Sequence, residues 1–257
     1  MLLCPVRDCR KPLIRDGRRV ACECNHSFDV ARSGYVNLLQ PQDRRSKNPG
    51  DTPDAVAARR RLHDRGVTVP LLDGIAEVLD ASSADVVIDA GCGDGFYLGN
   101  LTQRHGLVGH GVDISIPAID AAARRYSKCE WIVANADRAI PYSDQSFTAV
   151  LSITARMNPP EFHRVLQRQG RLLIALPAPD DLIELRGAGR DRTQRTIEEF
   201  SPHFRLSTQR RVTTSADLDK SGVQDFLLSI YRPRQQNPPQ AMRVTMSLDL
   251  LLFQPIP

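Results

Sequence analysis

The chain has 257 residues, of which 41% are apolar and 25% are charged, and this ordinary globular composition excludes disordered and fibrous classes. No apolar run approaches the roughly 18 residues needed to span a bilayer, and the opening stretch MLLCPVRDCRK lacks the apolar core of a secretory signal. Six cysteines are too few for a disulfide scaffold. We therefore expect a cytoplasmic protein with reduced thiols.

Positive charge is concentrated in the first part of the chain. Residues 1–70 carry fourteen Lys and Arg against eight Asp and Glu, whereas residues 71–257 carry twenty against twenty-two. A basic segment on a slightly acidic body favours a surface that faces a polyanion. On charge alone, a plain solvated surface is an equally good interpretation.

The N-terminal forty residues contain two pairs of soft metal ligands. Cys4-x4-Cys9 is followed, after twelve residues, by Cys22-x3-His26. Two pairs carried on tight turns can surround one tetrahedral ion, and the metal would stabilise a segment with little apolar content. Cys24 is a fifth donor, but a Cys-x-Cys pair chelates one ion with poor geometry, so we prefer His26. We predict zinc at this site; the alternative is a reduced cysteine cluster without a metal.

Turn and cap signals divide the segment that follows. Candidate hairpin arms at 13–14 and 19–21 flank the turn sequence Arg15-Asp16-Gly17-Arg18. Residues 40–54 contain three prolines and a glycine and predict a loop or linker. A helix is expected from the Thr52 cap to the Gly66 stop, and a second helix at about 70–79.

The remaining chain alternates between strands and helices. Strands are predicted at 86–91, 110–114, 130–135, 146–153 and 171–177, with helices between them. This alternation is typical of a doubly wound α/β layer with a parallel sheet. In the tail, we expect a helix at 223–231 and an antiparallel edge strand at 244–253.

A glycine-rich loop directly follows the first of these strands. It runs Asp89-Ala90-Gly91-Cys92-Gly93-Asp94-Gly95, and its glycines permit a tight turn and close approach of a ligand. The pattern is DxGxGxG, without the third glycine spacing of a dinucleotide fingerprint. The second strand ends in Asp113, well placed to hold ribose hydroxyls. The alternative is a loop that serves only as a turn, and Cys92 is expected to be a buried filler.

This ordered set resembles the class I S-adenosylmethionine-dependent methyltransferases. The resemblance implies that Gly91, Gly93, Asp94 and Gly95 line the methionine and ribose end of the cofactor. It also implies that Asp113 holds the ribose, that Ile114 packs on the adenine, and that Asn135 and Ala136 meet the adenine edge.

Several further strings resemble one particular family. They are CxHxFDxARxGYVNLL at 24–39, RRSKNPGD at 44–51 and ARRRLHDRG at 58–66. Together with DAGCGDG they resemble the RlmA family, bacterial 23S ribosomal RNA guanine-N1 methyltransferases, some of which give resistance to macrolide antibiotics. The resemblance implies zinc ligands at Cys4, Cys9, Cys22 and His26, and a homodimer. We accordingly predict a zinc-binding domain at 1–40, a linker and helix at 41–70, and a methyltransferase domain at 71–257.

The chain departs from the family pattern around the methyl-transfer site. Thr68 stands where the family has an aromatic cofactor-contacting residue, 153–158 differs from a Tyr-Ala-Pro-like segment, and Asp181 replaces a histidine. Asp181 is our candidate for accepting the guanine N1 proton, and its alternative role is to cap a helix. The full predicted cofactor set is Thr68, Asp89, Gly91, Gly93, Asp94, Gly95, Asp113, Ile114, Asn135, Ala136 and Asp181.

Three functions are compatible with these patterns. The first is a guanine-N1 methyltransferase of ribosomal RNA, the second a methyltransferase of a small guanine-like or natural-product acceptor, and the third a zinc-stabilised RNA-binding module without useful catalysis. In the first, a base is splayed out of a single-stranded loop. RNA phosphates would contact Arg44, Arg45, Lys47, Arg59, Arg60 and Arg61. Because three consecutive residues cannot share one helix face, we expect one of 59–61 to be solvated or paired with Asp64.

Overall fold

A small antiparallel sheet forms the N-terminal part of the computed structural model, which describes residues 1–7, 9–43, 49–230 and 239–256. Its strands are β1 (Ile14–Asp16), β2 (Arg19–Ala21) and β3 (Ser27–Asp29), in that order. The predicted hairpin is confirmed, since Ile14 lies opposite Ala21. Gly17 adopts a φ of +60°, which a two-residue hairpin turn requires.

The larger sheet has eight strands within the described ranges. They are β4 (Val36–Asn37), β5 (Val86–Ala90), β6 (Val108–Asp113), β7 (Glu130–Val133), β8 (Phe147–Ile153), β9 (Leu166–Pro177), β10 (Phe204–Leu218) and β11 (Met242–Pro255). Their spatial order is β10-β11-β9-β8-β5-β6-β7-β4. Strands β4 to β9 pair in parallel and β10 and β11 antiparallel, which confirms the doubly wound fold.

Helices cover both faces of the larger sheet. They are α1 (Pro53–Asp64), α2 (Val69–Leu79), α3 (Phe96–His105), α4 (Ile116–Arg125), α5 (Pro159–Val165), α6 (Ile183–Arg186), α7 (Thr193–Phe200) and α8 (Lys220–Ser229). Helix α1 begins as predicted, because the Thr52 Oγ1 atom accepts a hydrogen bond from the Ala55 amide at 3.3 Å. No helix in the described ranges is long and apolar enough to cross a membrane.

The tail of the sheet differs from the prediction in one respect. The strand expected at the edge over 244–253 is present as β11, but it lies between β9 and β10. The antiparallel edge strand is β10, which the sequence analysis missed. Most β10 side chains are exposed, so this strand shows little of the apolar alternation on which strand prediction depends.

The N-terminal segment is continuous with the large sheet. Val36 of β4 pairs with Ile132 of β7, and Leu2 forms a bridge to Tyr142. The buried ligand residues Cys4 and Cys22 belong to the same apolar cluster as Ile132 and Tyr142. The metal-binding segment and the sheet therefore share one core.

Candidate active site and metal centre

The four predicted metal ligands lie together. One ligand atom from each of Cys4, Cys9, Cys22 and His26 falls within 4.8 Å of all the others. The His26 Nδ1 atom is 3.4 Å from the Cys4 sulfur and 3.5 Å from the Cys22 sulfur, and the Cys9 and Cys22 sulfurs are 3.8 Å apart. A zinc tetrahedron with sulfur and nitrogen ligands has edges of about 3.6–3.8 Å. This donor set therefore fits zinc.

Two tight turns present these ligands in pairs. In the first, the Cys9 amide donates to the Val6 carbonyl at 3.0 Å. In the second, the Asn25 amide donates to the Cys22 carbonyl at 3.0 Å, with Asn25 at a φ of +62°. Cys24 is exposed on this second turn and is not among the four clustered donors.

The glycine loop is shaped by its neighbours. Gly91, Gly93 and Gly95 have φ values of +88°, +54° and +75°, which side-chain-bearing residues rarely adopt. A Cβ atom on Gly91 would lie 2.4 Å from the Ala155 Cβ atom, and one on Gly95 would lie 2.4 Å from the Trp131 ring. Glycine is therefore required at the first and third positions by packing as well as by backbone conformation.

Asp113 joins the end of β6 to the glycine loop. Its carboxylate accepts hydrogen bonds from the Gly93 amide at 2.9 Å and from the Ser115 amide at 2.8 Å. Burial raises the pKa of Asp113, and these two amides oppose that rise. Each carboxylate oxygen can accept a further hydrogen bond, so the group fits the ribose hydroxyls of a nucleoside.

Asp89 holds a buried and incompletely paired carboxylate. Only 1% of the residue is exposed, and its Oδ1 atom has no hydrogen-bond partner in the described part of the chain. Burial, assisted by the charge of Asp113, raises the pKa of Asp89 to about 8. Because burying an unpaired carboxylate is costly, this atom marks a place for a donor or a cation of a ligand. The cofactor's sulfonium and ammonium groups fit that requirement.

Arg59 of α1 reaches the same loop. Its Nη1 atom donates to the Asp51 carboxylate at 2.6 Å, and its Nη2 atom donates to the Ser229 carbonyl at 3.1 Å. A Cβ atom on Gly93 would lie 3.5 Å from Nη1. The guanidinium therefore belongs to the loop region and not to an outward-facing RNA surface.

Thr68 and Asp94 meet through a histidine that the sequence analysis did not single out. The His63 Nδ1 atom lies 2.7 Å from the Thr68 Oγ1 atom, and its Nε2 atom lies 3.7 Å from the Asp94 Oδ1 atom. The imidazole stacks on the Phe96 ring, with 3.9 Å between ring centroids. All three polar side chains are buried.

The residues predicted at the adenine edge follow β6 and β7. Ile114 packs against one apolar cluster of the core and Ala136 against the other. The Asn135 side-chain amide donates to the Asp43 carbonyl at 3.0 Å and accepts from the Asp137 amide at 3.2 Å. Asn135 thus fixes the start of the segment that leads to α1.

Asp181 is engaged within the protein. Its carboxylate forms an ion pair with Arg186 and accepts a hydrogen bond from the Ser247 amide at 2.9 Å. Burial raises the pKa of Asp181, although both partners oppose this. The capping interpretation is wrong, because α6 begins after Leu182 and has no side-chain cap.

The basic residues of α1 face different partners. Arg61 donates to both carboxylate oxygens of Asp225, a buried residue of α8. Asp64 pairs with Arg125 at 2.7 Å, so the alternative in which it pairs with one of 59–61 is not found among the described residues, and the solvated alternative remains a prediction. Arg60 is half-buried. The other predicted phosphate contacts, Arg44, Arg45 and Lys47, lie outside the described residues.

Two positions next to the site were missed by sequence reasoning. Asp51 closes the RRSKNPGD string and His63 lies inside ARRRLHDRG, so both belong to strings that carry the family resemblance. Nothing in the spacing of either string places it beside the glycine loop, because Gly91 lies 28 residues after His63 and 40 residues after Asp51.

The chain is similar to known proteins over its whole length. Residues 2–47 match the model of the RlmA N-terminal zinc ribbon, and residues 87–174 match a methyltransferase domain. A 23S rRNA (guanine(748)-N(1))-methyltransferase of Streptomyces fradiae is 34% identical over the whole chain and 97% of its own length. A Bacillus subtilis protein, provisionally named a 23S rRNA guanine-N1 methyltransferase, is 34% identical over 72% of this chain and 67% of its own.

Solved structures support the fold. The complex of the Haloferax volcanii Trm112 methyltransferase activator with a provisionally assigned methyltransferase gives a TM-score of 0.54 at 18% identity, covering 79% of this chain and 98% of that one. The crystal structure of the MccD protein gives 0.51 at 16% identity, covering 72% and 96%. At these identities the likeness concerns architecture alone.

Proposed function

The chain belongs to the RlmA family of 23S ribosomal RNA guanine-N1 methyltransferases, and on that premise we propose that its acceptor is the N1 atom of a guanine in 23S ribosomal RNA. The chain is an S-adenosylmethionine-dependent methyltransferase with an N-terminal zinc ribbon. The observation that carries the choice of acceptor is the full-length similarity to the Streptomyces fradiae enzyme, which includes the ribbon as well as the catalytic fold.

The residues of the site suit methyl transfer from a sulfonium. When bound, S-adenosylmethionine supplies an activated methyl group, and the protein orients the donor and the acceptor in a dry pocket. Asp113 would hold the ribose and Asp89 would face the cationic end. We propose these roles because the first carboxylate is fixed by two amides and the second has an unpaired, buried oxygen.

Guanine N1 carries a proton at neutral pH, which must leave as the new bond forms. We retain Asp181 as the candidate acceptor of this proton, since burial raises the pKa of its carboxyl group and hence its basicity. Arg186 shares the carboxylate, so proton uptake requires that ion pair to loosen. Asp181→Asn should therefore lower the rate of methyl transfer more than it lowers cofactor affinity.

A small guanine-like or natural-product acceptor is the competing function. Two observations favour it: Arg59 and Arg61 are committed to Asp51 and Asp225, and the segment 153–158 departs from the family pattern. In that segment Thr154 adopts a φ of +51°, and Ala155 packs against Gly91. This altered segment lies beside the cofactor loop, where a change of acceptor would be accommodated.

The division of labour follows from the proposed acceptor. We infer that the ribbon at 1–40 helps to recognise RNA, that 41–70 connects it to the site, and that 71–257 performs methyl transfer. An enzyme acting on ribosomal RNA would work in the cytoplasm. The homodimer implied by the family resemblance is also a proposal, which light scattering of the purified protein would test.

The acceptor can be tested with a labelled methyl group. The protein is incubated with methyl-labelled cofactor and with either 23S ribosomal RNA or a small-molecule extract of cells. We expect label in the RNA, and none above background with Asp113→Ala. Label confined to the small-molecule fraction would replace the RNA proposal by its competitor.

A further inference from the structure

The guanidinium of Arg59 lies beside the glycine loop, and several of its N–H donors remain available to a ligand. A guanidinium has five N–H groups, and two of its nitrogens are engaged by Asp51 and Ser229. Its Nη1 atom would contact a Cβ atom placed on Gly93. The side chain is 28% exposed, so it is neither a free surface cation nor sealed within the core.

Several acidic side chains lie around Arg59, and a second guanidinium, that of Arg125, also acts on Asp94. Burial lowers the pKa of Arg59, but Asp51, Asp94 and Asp113 outweigh this effect and raise it. Asp89 adds a further acidic group at the end of β5, directly before the same loop. The cofactor's amino-acid end carries a sulfonium, an ammonium and one carboxylate. Aspartates suit the two cationic groups, whereas an anion in this setting needs a guanidinium.

Arg59 is also fixed in place before any ligand binds. Its partner Asp51 accepts a hydrogen bond through its backbone carbonyl from the Ser115 hydroxyl at 2.9 Å. Gly50 packs so closely on Ser115 that a Cβ atom there would lie 2.6 Å from the serine Cβ atom. A cation held from both sides loses little conformational entropy on binding an anion.

We propose that Arg59 binds the α-carboxylate of the cofactor's methionine moiety, and that the site thereby selects cofactors that carry this carboxylate. Asp51 and the Ser229 carbonyl act as positioning groups for the guanidinium. The proposal concerns the donor alone. It does not depend on which acceptor the enzyme methylates.

The test compares two ligands that differ in this carboxylate. Dissociation constants are measured by calorimetry for S-adenosylmethionine and for decarboxylated S-adenosylmethionine, without RNA. Wild-type protein should bind the decarboxylated form about 10- to 100-fold more weakly, the loss expected for one buried charge-assisted contact. In Arg59→Gln the ratio of the two constants should approach one, because affinity for the intact cofactor falls while affinity for the other form does not.

A matched control comes from the same helix. Arg61→Gln removes an Arg–Asp ion pair of α1 away from the glycine loop and should retain the wild-type ratio. Arg59→Lys preserves the charge without the planar fork and should give an intermediate ratio, which also serves if Arg59→Gln folds poorly. Equal binding of both ligands by wild-type protein would overturn the proposal, as would an unchanged ratio in both Arg59 variants. Because no acceptor is present, neither outcome bears on the RNA proposal.

Discussion

The Nδ1 atom of His63 lies 2.7 Å from the Oγ1 atom of Thr68, and this contact joins the end of α1 to the start of α2 beneath the glycine loop. Stacking on Phe96 and proximity to Asp94 connect the same imidazole to the loop and to α3. Burial, together with the charges of Arg59 and Arg125, lowers the pKa of His63 to about 3. The imidazole is therefore neutral at physiological pH.

Replacing Thr68 tests whether this contact stabilises the fold. Thr68→Val keeps the shape of the side chain but leaves the His63 Nδ1 atom unpaired and buried. The free energy of unfolding should fall by about 1–3 kcal/mol in urea denaturation. Thr208→Val, at an exposed position of β10, is the control and should change it by less than about 0.5 kcal/mol. Equal effects of the two substitutions would show that the contact contributes nothing.

The low pKa of the buried His63 side chain should also make the stability of the protein depend on pH. The unfolded chain takes up a proton on His63 below about pH 6.5, whereas the folded protein does so only near pH 3. Unfolding therefore becomes easier as the pH falls through this window, by at most about 1.4 kcal/mol per pH unit from this residue.

His63→Leu should remove that part of the slope. The difference between the wild-type and His63→Leu slopes gives the contribution of His63 alone, because both proteins contain Asp89 and its opposite slope. Thr208→Val, at an exposed position of β10 and without a titratable group, should leave the slope as in the wild type. Parallel pH profiles for wild type and His63→Leu would mean that His63 is not buried in neutral form.

Replacing Asp89 should stabilise the cofactor-free protein and weaken its binding of the cofactor. Its pKa of about 8 is above the ordinary value, so stability present at low pH is lost as the pH rises from about 4 to 8. Asp89→Asn removes this loss. In the cofactor-free protein it should raise the melting temperature at pH 9, with a gain that shrinks towards pH 4.

The same substitution should weaken cofactor binding by roughly 10-fold or more, because it removes the carboxylate that we propose to face the cationic groups of the cofactor. Asp73→Asn, which alters an exposed ion pair with Arg104, is the control for both measurements. If Asp89→Asn bound the cofactor as the wild type does, the unpaired oxygen would have another purpose.

The zinc site should be tied to the stability of the whole chain. Cys4→Ser should leave less than about half an equivalent of zinc by elemental analysis and lower the melting temperature of the methyltransferase fold, because β4 pairs with β7 and Leu2 with Tyr142. Cys24→Ser should retain about one equivalent, since its sulfur lies outside the four-donor cluster. Loss of zinc in Cys24→Ser with retention in Cys4→Ser would reverse the ligand assignment.

The parallel sheet and the metal ligands could be predicted from the sequence because local patterns determine both. Strand β5 is a short apolar run closed by Gly91, and the ligand pairs sit on turns whose residues are adjacent in the chain. The sequence could not predict the partner of Arg61, since the Arg61–Asp225 pair joins residues 164 positions apart. Nor could it place Arg59 at the glycine loop, because the Ser229 contact depends on how α1 packs against α8.

The dependence on long-range contacts also explains why β11 was wrongly predicted at the sheet edge and β10 was not predicted. Strand β11 has mostly buried residues on both faces, which identifies it as a strand but leaves its neighbours undetermined. The strand that pairs with it at the sheet edge, β10, is exposed along most of its length. Its sequence therefore lacks the apolar alternation from which a strand is predicted. The pairing of β10 with β11 runs from Phe204 opposite Pro255 to Leu218 opposite Met242, and local sequence patterns do not determine such long-range contacts.

The chemical identity of the methylated product distinguishes most directly between an RNA acceptor and a small-molecule acceptor. Unmodified 23S ribosomal RNA is incubated with the protein and S-adenosylmethionine, digested to nucleosides and analysed by mass spectrometry against authentic N1-methylguanosine. Primer extension on the same RNA locates the base, because a methyl group on N1 blocks pairing and stops the polymerase. The proposal predicts new N1-methylguanosine and a single new stop, both absent with Asp113→Ala. Active protein that methylates another atom, or that leaves this RNA unchanged while methylating a small molecule, would contradict it.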